Sequence, residues 1–390
     1  MLRTLHVDIE GGFGGSARSL YELVTRLPHG QFKPLVMHRE MGPVVPRYAK
    51  ASIATRHVPT IASWVPRRAS NAKILLGTAP RFLRMFDFVG HLRTAISEHN
   101  ANLVHFNYEG LFAAARLLRR HTPIPFVFHC RTQLPANGYG RFVARQVQQI
   151  ANHLFFISDN EREAFAQHCN GPLPSSEVLW NISSVAKYED VPSHAQRQRL
   201  AAYFGAINHE KGVDRLLDVA LALRRLGGKP LKIEVYGGKR QSPAFYEDME
   251  RQIQKHNLSD WLALCGHTQS PESVMARALI VLRVSRWDDP WGRDLIEAAC
   301  NGTPAFATGT YEGVVQPGVT GELFSPFDAN FVAARMARLV GDENLWQRMS
   351  TAALERAGQQ FGGEHQVRRV ARVFKQLSGA REVRLAKSPQ

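Results

Sequence analysis

Short apolar runs and longer helical stretches alternate along the whole chain. In the first half, runs rich in Val, Leu, Ile and Phe are separated by segments whose apolar residues recur at helical spacing. This alternation is typical of parallel strands whose connecting helices cover both faces of a sheet. The predicted strands of this half are residues 5–9, 34–38, 103–106, 126–129, 154–157 and 177–179.

The same pattern starts again in the second half. Its predicted strands are residues 201–204, 232–236, 262–265, 280–284, 303–307 and 321–323, with a helix at 213–226. A chain of 390 residues exceeds the size at which a single core usually stops growing. The pattern therefore predicts an α/β protein with two Rossmann-like domains whose parallel sheets face each other across a cleft.

A polar stretch separates the two halves and sets the predicted domain boundaries. Residues 186–199 contain few apolar positions and include Pro192, which is typical of an interdomain linker. The first domain is then 1–185 and the second 200–366. A final helix at 367–380 is a candidate to return to the first domain, and residues 381–390 are expected to form a flexible tail.

Charge and composition narrow the class of protein. The chain has 49 basic and 34 acidic residues, a formal charge of +15, which favours an anionic partner such as nucleic acid, a phosphorylated small molecule or an acidic membrane. No stretch reaches the roughly 18 apolar residues of a membrane-spanning helix, and the first residues are typical of a strand rather than a signal peptide. We therefore expect a cytoplasmic protein. The four cysteines form no CxxC pair, which argues against a zinc site or a disulfide framework.

One segment of the first half, residues 64–89, departs from the alternation. It places Arg67, Arg68, Arg81 and Arg84 among Trp, Phe and Leu residues. Two interpretations stay open. The segment is either a helix that packs its apolar side on the domain, or a surface that meets anionic lipid or a lipid-linked acceptor.

A glycine-rich turn follows the first predicted strand. Gly14 and Gly15 lie just before a helical run, where free backbone N–H groups favour a phosphate group. The spacing of Gly12, Gly14 and Ala17, together with Glu40 at the end of the next strand, also fits a dinucleotide-binding fold. A nicotinamide-dependent enzyme therefore remains an alternative.

Two segments of the second half carry further candidate chemistry. Lys211 precedes a helix at the end of the loop that follows the first strand of this domain. Further along, Asp289 and Glu297 stand eight positions apart, separated by a turn that contains Gly292. A carboxylate on the following helix can accept two hydrogen bonds from a ribose diol, which specifies a nucleoside.

These motifs resemble those of the GT-B glycosyltransferases of family 4. DPWGRDLIE keeps the spacing of that family's two signature acids, and AACNGTPAFA continues the match. Further motifs of the family's donor domain are similar to FGAINHEKGVDRLL, IEVYGG, LCGH and GVTGELF. Motifs of its first domain are similar to VHFN, FVFHCR, FFIS and VLWN. The resemblance covers most of the chain and implies a hexosyltransferase-type enzyme.

The resemblance also implies roles for individual residues. His129 and Asp289 would lie at the reacting sugar, Glu297 would bind the ribose, and Lys211 the diphosphate. The implied donor-binding set is Gly14, Gly15, Lys211, Gly292, Arg293, Asp294 and Glu297, with Asn181 and Arg286 as further candidates.

This chain departs from the family pattern at two positions. Ala206 stands where the family usually has an arginine that clamps the diphosphate, so that Arg286 or Arg293 would have to supply the charge. Asp289 replaces the usual glutamate and is one methylene shorter. The carboxylate is kept, but the choice of sugar can differ.

The implied reaction is the retaining, metal-independent transfer of a sugar from a nucleotide-sugar donor to a glycan or lipid-linked acceptor, without a cofactor. Polysaccharide or lipopolysaccharide biosynthesis is the implied setting, with a peripheral position on the inner face of the membrane as a further hypothesis. The alternatives are another two-domain enzyme that uses a nucleotide sugar or nicotinamide, and a basic nucleic-acid-binding protein. The chain contains no recognised nucleic-acid motif, so we expect no nucleic-acid partner.

Overall fold

In the computed structural model the chain forms two compact units. The first combines Met1–Ile182 with Gly363–Gln390, and the second is Ser183–Gly362. The structure describes residues 1–12, 14–64, 78–183, 185, 190–239, 242–288 and 291–386.

A sheet of parallel strands forms the centre of the first unit. Its strands are β1 (Leu2–Asp8), β2 (Phe32–His38), β3 (Ala54–His57), β4 (Leu103–Phe106), β5 (Phe126–Cys130), β6 (His153–Phe156) and β7 (Ser176–Val178). They lie in the order β3-β2-β1-β4-β5-β6-β7. Leu5 lies opposite Leu35 on one side and Val104 on the other. All three are buried, as expected for a parallel sheet that is covered on both faces.

Helices connect the strands of the first unit. They are α1 (Gly15–Arg26), α2 (Val44–Lys50), α3 (Thr78–His99), α4 (Phe112–Leu118, after a 3-10 turn at Glu109–Leu111), α5 (Gly138–Ile150) and α6 (Asp159–Ala166). Local signals set several of their starts. The Asn137 side chain caps α5 by accepting from the backbone N–H of Gly140, and Ser158 caps α6 by accepting from that of Glu161.

The second unit repeats this architecture around its own sheet. Its strands are β8 (Gln198–Phe204), β9 (Lys232–Tyr236), β10 (Leu262–Gly266), β11 (Ala278–Arg283), β12 (Ala305–Thr308) and β13 (Gly321–Phe324), in the order β10-β9-β8-β11-β12-β13. Its helices are α7 (Arg215–Leu226), α8 (Pro243–Lys255), α9 (Pro271–Arg277), α10 (Arg293–Cys300), α11 (Ala329–Gly341) and α12 (Glu343–Arg356). A 3-10 turn at His194–Gln196 precedes β8, and a π-helical turn at Ala357–Phe361 follows α12.

A buried arginine anchors the segment that leads into β8. The Arg197 side chain is 6% exposed and lies over the ring of Trp346, with 4.8 Å between the guanidinium carbon and the ring centre. The guanidinium donates to the backbone carbonyls of Met275, Ala278 and Asn301. This polar segment thus contributes a core residue to the second unit, because one planar group satisfies several carbonyls at once.

The last helix, α13 (Gly363–Ala386), packs on the first unit. Val370 and Phe374 are fully buried in a cluster that includes Leu27 and Phe155. Full burial of one such phenylalanine contributes about 1.5–3 kcal/mol. The helix continues past residue 381, where the sequence places the start of the tail.

Most strands found here overlap those predicted from the sequence, but β3 was missed. This four-residue strand lies at the edge of its sheet, and its residues are half-buried or exposed. It therefore lacks the apolar run that marks a central strand.

Both sheets reverse their strand order at one internal position, between β1 and β4 in the first unit and between β8 and β11 in the second. In open α/β sheets, ligands bind beyond the carboxyl ends of the strands at such a reversal. A site is therefore expected in the loops that follow these four strands.

Candidate active site

Helix α10 and its N-cap carry four of the predicted donor-binding residues of the second unit, namely Gly292, Arg293, Asp294 and Glu297. Gly292 is the N-cap of the helix, and Arg293 is its first residue. The Nε of Arg293 lies 2.7 Å from Oε1 of Glu297, one helical turn further on. Glu297 is only 3% exposed, so this carboxylate is held in one place by a buried ion pair.

A second ion pair packs against Gly292. Nη1 of Arg283, at the end of β11, lies 2.8 Å from Oδ1 of Asp294. A Cβ atom on Gly292 would lie 2.2 Å from each of these two atoms, so any other residue here would displace the ion pair. The other carboxylate oxygen of Asp294 is buried and lacks a hydrogen-bond partner within the described part of the chain.

The loop that carries Lys211 packs directly on the end of β11. Gly212 has φ +67°, and a Cβ there would lie 2.0 Å from the carbonyl oxygen of Val284. The backbone N–H of Lys211 donates to Oδ1 of Asn208, which shapes the turn. A glycine is therefore needed at 212 both for its backbone conformation and for its close approach to β11.

Arg286 belongs to the same loop cluster. Its two terminal nitrogens donate to the two carboxylate oxygens of Asp214 at 2.8 and 2.6 Å, and its backbone N–H donates to the carbonyl of Glu210. Burial alone would raise the pKa of Asp214, but its hydrogen bonds with Arg286 and the charge of that arginine leave the pKa below its usual value. The structure thus places Arg286 on the Lys211 loop, whereas Arg293 pairs with Glu297.

The first aspartate of the DDPWG motif has a structural contact. Asp288 accepts from the backbone N–H and the hydroxyl of Thr310, at 2.9 and 2.7 Å, and so fixes its own turn against the loop after β12. Asp289, the predicted contact to the donor sugar, lies outside the described residues.

The glycines of the turn between β1 and α1 differ in how much space a side chain would have. Gly14 is the N-cap of α1 and Gly15 its first residue. A Cβ at Gly15 would meet nothing within 4 Å, whereas a Cβ at Gly11 would lie 1.6 Å from the carbonyl oxygen of Glu40. Close packing therefore requires a glycine at 11, and the open space at 15 lies beside the first N–H groups of the helix.

Two of the predicted residues line one narrow pocket in the first unit. The hydroxyl of Ser19, on α1, donates to Oδ1 of Asn181 at 2.6 Å. His129 and Trp180 lie on the wall of the same pocket. The fold thus brings Asn181, His129 and α1 together.

His129 lies at the end of β5 and is 3% exposed. Its Nδ1 is 3.2 Å from Nη2 of Arg131, while its Nε2 is buried and has no hydrogen-bond partner in the described structure. Burial and the nearby charge of Arg131 hold the pKa of His129 well below its usual value. The ring is therefore neutral near pH 7.

Sequence reasoning missed a buried polar network beside His129. Asn107 donates to Oδ1 of Asp8 at 3.1 Å and to the carbonyl of Ser16 at 3.3 Å, and its Oδ1 accepts from Nη2 of Arg131 at 2.6 Å. Glu109 accepts from the backbone N–H of Arg131 at 2.9 Å. Burial raises the pKa of Asp8 to about 7. The available signal was a polar residue at the end of each of two neighbouring apolar strands.

The basic segment of the first unit is described only in part. Arg67 and Arg68 lie outside the described residues, as does the side chain of Arg81. Arg84 is exposed on α3, whereas Phe88 is buried in the core. The described part of this helix therefore packs an apolar side on its unit. Within the described residues, no helix is long and apolar enough to cross a bilayer.

The two halves of the chain match two family models. The model for glycosyl transferases group 1 matches residues 185–356, and the Glycosyltransferase Family 4 model matches residues 13–181. Both halves therefore agree with the motifs that carried the resemblance.

Curated relatives and solved structures agree with these matches. The lipopolysaccharide core biosynthesis mannosyltransferase LpsB of Rhizobium meliloti is 27% identical over 187 residues, 46% of this chain and 52% of LpsB, so the match spans about half of that relative. The α-D-kanosaminyltransferase of Streptomyces kanamyceticus is 24% identical over 300 residues, 67% of this chain and 76% of that protein. The structure of HepE from Anabaena with UDP-glucose superimposes with a TM-score of 0.78 at 19% identity, covering 96% of this chain and 100% of HepE.

The likeness to HepE confirms the predicted GT-B fold, with its two Rossmann-like domains. The family prediction is confirmed as well. Because these two glycosyltransferase models together run from residue 13 to residue 356, the chain is a glycosyltransferase, with the group 1 model matching its second half and the Family 4 model its first.

Proposed function

We propose that the protein transfers a sugar from a nucleoside-diphosphate sugar to a hydroxyl of a glycan or lipid-linked acceptor, with retention of anomeric configuration and without a metal ion or cofactor. The observation that carries this proposal is the arrangement at the end of β11. There the Lys211 loop and the start of α10 flank the position where the strand order reverses. Ligands of open α/β sheets bind at this position.

The start of α10 supplies the nucleoside contacts in this proposal. The carboxylate of Glu297 accepts hydrogen bonds from the ribose hydroxyls, and its ion pair with Arg293 keeps it oriented. The N–H groups at the start of the helix and the ammonium of Lys211 face the diphosphate.

In this proposal Arg286 supplies the positive charge that the family usually takes from an arginine, at the place where this chain has Ala206. It is bound to the same loop as Lys211 through its bidentate contact with Asp214. Fixed cationic groups stabilise the negative charge that develops on a leaving diphosphate, which is the task that a metal ion performs elsewhere. Arg286→Gln should therefore reduce kcat, with a smaller effect on the free energy of unfolding.

The reaction follows from these contacts and from the roles of His129 and Asp289 that the family resemblance implies. As the bond between the sugar and the diphosphate breaks, the acceptor hydroxyl attacks from the side on which the diphosphate leaves and gives its proton to an oxygen of the departing diphosphate. Asp289 binds hydroxyls of the donor sugar and His129 lies near the reacting carbon. The anomeric signal of the product in a ¹H NMR spectrum tests retention directly, because an inverted product would contradict this course.

The relatives support a hexose donor and a surface-glycan acceptor. HepE has been solved with UDP and with UDP-glucose, and LpsB is named a mannosyltransferase of the lipopolysaccharide core. A lipid-linked acceptor also fits a peripheral position on the membrane, to which the exposed Arg84 and the 52% exposed Phe86 would contribute. Vesicles that contain anionic lipid should bind the protein, and neutralising Arg67, Arg68, Arg81 and Arg84 together should abolish this binding.

A thermal-shift screen tests the proposed donor site. The ligands are UDP, GDP, ADP, CMP, the corresponding nucleotide sugars, NAD and NADP. One nucleoside diphosphate should raise Tm in the wild type and have no effect on Glu297→Ala.

A matched control separates donor contact from general destabilisation. Glu322 is likewise buried and paired with an arginine, Arg335, but it lies on β13 at the edge of the sheet. Glu322→Ala should keep the nucleotide response. Stabilisation by NAD alone, or a full nucleotide response in Glu297→Ala, would contradict the proposal.

A further inference from the structure

A donor-only partner sets the protonation pattern of the His129 ring. Nη2 of Arg131 lies 3.2 Å from Nδ1 of His129. An arginine side chain has five N–H donors and no acceptor, so Nδ1 must be the acceptor in this contact. A neutral imidazole carries a single ring proton, which then has to lie on Nε2.

We propose that Arg131 is a positioning residue that holds His129 in its Nε2–H form, so that this N–H donates to an oxygen of the substrate sugar. This inference rests on the proposed function for the identity of the substrate. It assigns a role to the last residue of the FVFHCR motif, two positions after the histidine, to which the resemblance gave none.

The position of Arg131 is itself fixed by buried groups. Its Nε and Nη2 lie 2.9 and 2.6 Å from Oδ1 of Asn107, and Nε lies 3.1 Å from the carbonyl of the same residue. Asn107 is fully buried and uses its amide N–H₂ on Asp8 and on the carbonyl of Ser16. Each of these contacts has one consistent direction of donation, so the guanidinium has little freedom to turn away from His129.

The assigned N–H has nothing to bind in the described structure. Nε2 of His129 is buried and has no partner, although His129 lines the narrow pocket next to Ser19 and Asn181. A buried donor without a partner costs free energy, which a bound oxygen would recover.

His105 shows how this position differs from other buried histidines. Among the residues that the structure describes, its Nε2 also has no partner, but the His105 ring lies 5.3 Å from that of His6 and 5.9 Å from that of Phe374. His129, by contrast, lines the narrow pocket beside Ser19 and Asn181.

The tautomer can be read by NMR on the full chain labelled with ¹⁵N-histidine. The His129 signals are identified by their loss in His129→Gln. The wild type should show a protonated Nε2 and an unprotonated Nδ1. Arg131→Lys should keep this pattern, because lysine is also a donor without acceptor capacity, whereas Arg131→Met should give the Nδ1–H form or a mixture.

Kinetics with the donor found in the nucleotide screen then connect the tautomer to the reaction. Arg131→Met should lower kcat about tenfold, the effect of losing one hydrogen bond in the transition state, with little change in the donor KM. Arg131→Lys should recover most of that loss. A change in folding alone would move Tm in both variants without altering the tautomer.

Three results would overturn the inference. These are an Nδ1–H signal in the wild type, an unchanged tautomer in Arg131→Met, and an unchanged kcat in a variant whose tautomer has switched. If the wild type shows the Nε2–H form but transfers no sugar, the proposed function fails and the contact with a substrate sugar fails with it, while the tautomer assignment stands.

Discussion

Gly212→Ala is the substitution that tests most sharply whether the fit of the Lys211 loop on β11 creates the donor site. The backbone at Gly212 has φ +67°, which costs a residue with a side chain about 1–2 kcal/mol. The new Cβ would also lie 2.0 Å from the carbonyl oxygen of Val284, so the loop has to move away from the strand. Overpacking of this kind costs a further 1–3 kcal/mol or so. We expect a total loss of about 2–5 kcal/mol and a displaced Lys211.

Gly318→Ala is the matched control. Gly318 has φ +71°, but a Cβ there would meet nothing within 4 Å. The control should therefore lose only the stability that the unfavourable backbone conformation costs, about 1–2 kcal/mol.

Two measurements separate the pair of variants. Urea unfolding gives the stability of each, and calorimetric titration gives the affinity for the nucleoside diphosphate identified in the screen. Gly212→Ala should bind at least tenfold more weakly than wild type, and Gly318→Ala should bind as wild type does. Equal affinities in the two variants would refute the idea that close packing of the loop on β11 positions the diphosphate contact.

Three further predictions concern the two cores and the glycine turn. Burial lowers the pKa of His6 to about 3, so the ring stays neutral in the folded protein, whereas in the unfolded chain it gains a proton below pH 6.5. The free energy of unfolding therefore decreases as the pH falls from 6.5 towards 3. The decrease is about 1.4 kcal/mol between pH 7.5 and 5.5. Hydrogen exchange of β1 should show this loss, and a His6→Asn variant with the same pH dependence as wild type would contradict it. Arg197→Met should destabilise the second unit by about 3 kcal/mol in urea unfolding, because buried carbonyls lose their donor. Arg197→Lys should recover part of this stability. An unchanged stability of Arg197→Met would exclude the anchoring role. Gly11→Ala should lower Tm by several degrees, since its Cβ would lie 1.6 Å from the Glu40 carbonyl oxygen. The Cβ of Gly15→Ala has open space, so this variant should leave Tm nearly unchanged. A larger loss of Tm in Gly15→Ala than in Gly11→Ala would be inconsistent with the packing of this turn.

The sequence predicts the sheets and the family well because both are encoded locally. Buried parallel strands require continuous apolar runs, so the runs at 103–106 and 232–236 match β4 and β9 residue for residue. The turn between β11 and α10 is likewise a contiguous motif, and its glycine and glutamate occupy the places that the motif predicts.

The buried network around His129 could not be predicted in this way. Asp8 and Asn107 are 99 positions apart, and they meet because β1 and β4 are neighbours at the reversal of strand order. Arg131 ends the FVFHCR motif, but that motif does not reveal that its guanidinium is held by Asn107. Its role is decided by tertiary contacts, and the same holds for Arg197, which is buried although its segment has few apolar residues.

The same limit applies to the glycines of the first turn. The pattern draws attention to Gly14 and Gly15, which face a helix start, whereas close packing requires Gly11. That requirement comes from the carbonyl of Glu40, which follows the neighbouring strand and is not visible in the local sequence.

The most direct test of the central claim is a hydrogen-exchange footprint of the full chain at a saturating concentration of the nucleoside diphosphate selected in the screen. The proposed site predicts slower exchange in the Lys211 loop, at residues 205–214, and at the start of α10, at residues 291–297, with no change at β13 on the far edge of the same sheet. Protection in these two segments, and its loss in Glu297→Ala, would place the donor where we propose. Protection confined to other segments, or the same footprint in Glu297→Ala, would contradict the account.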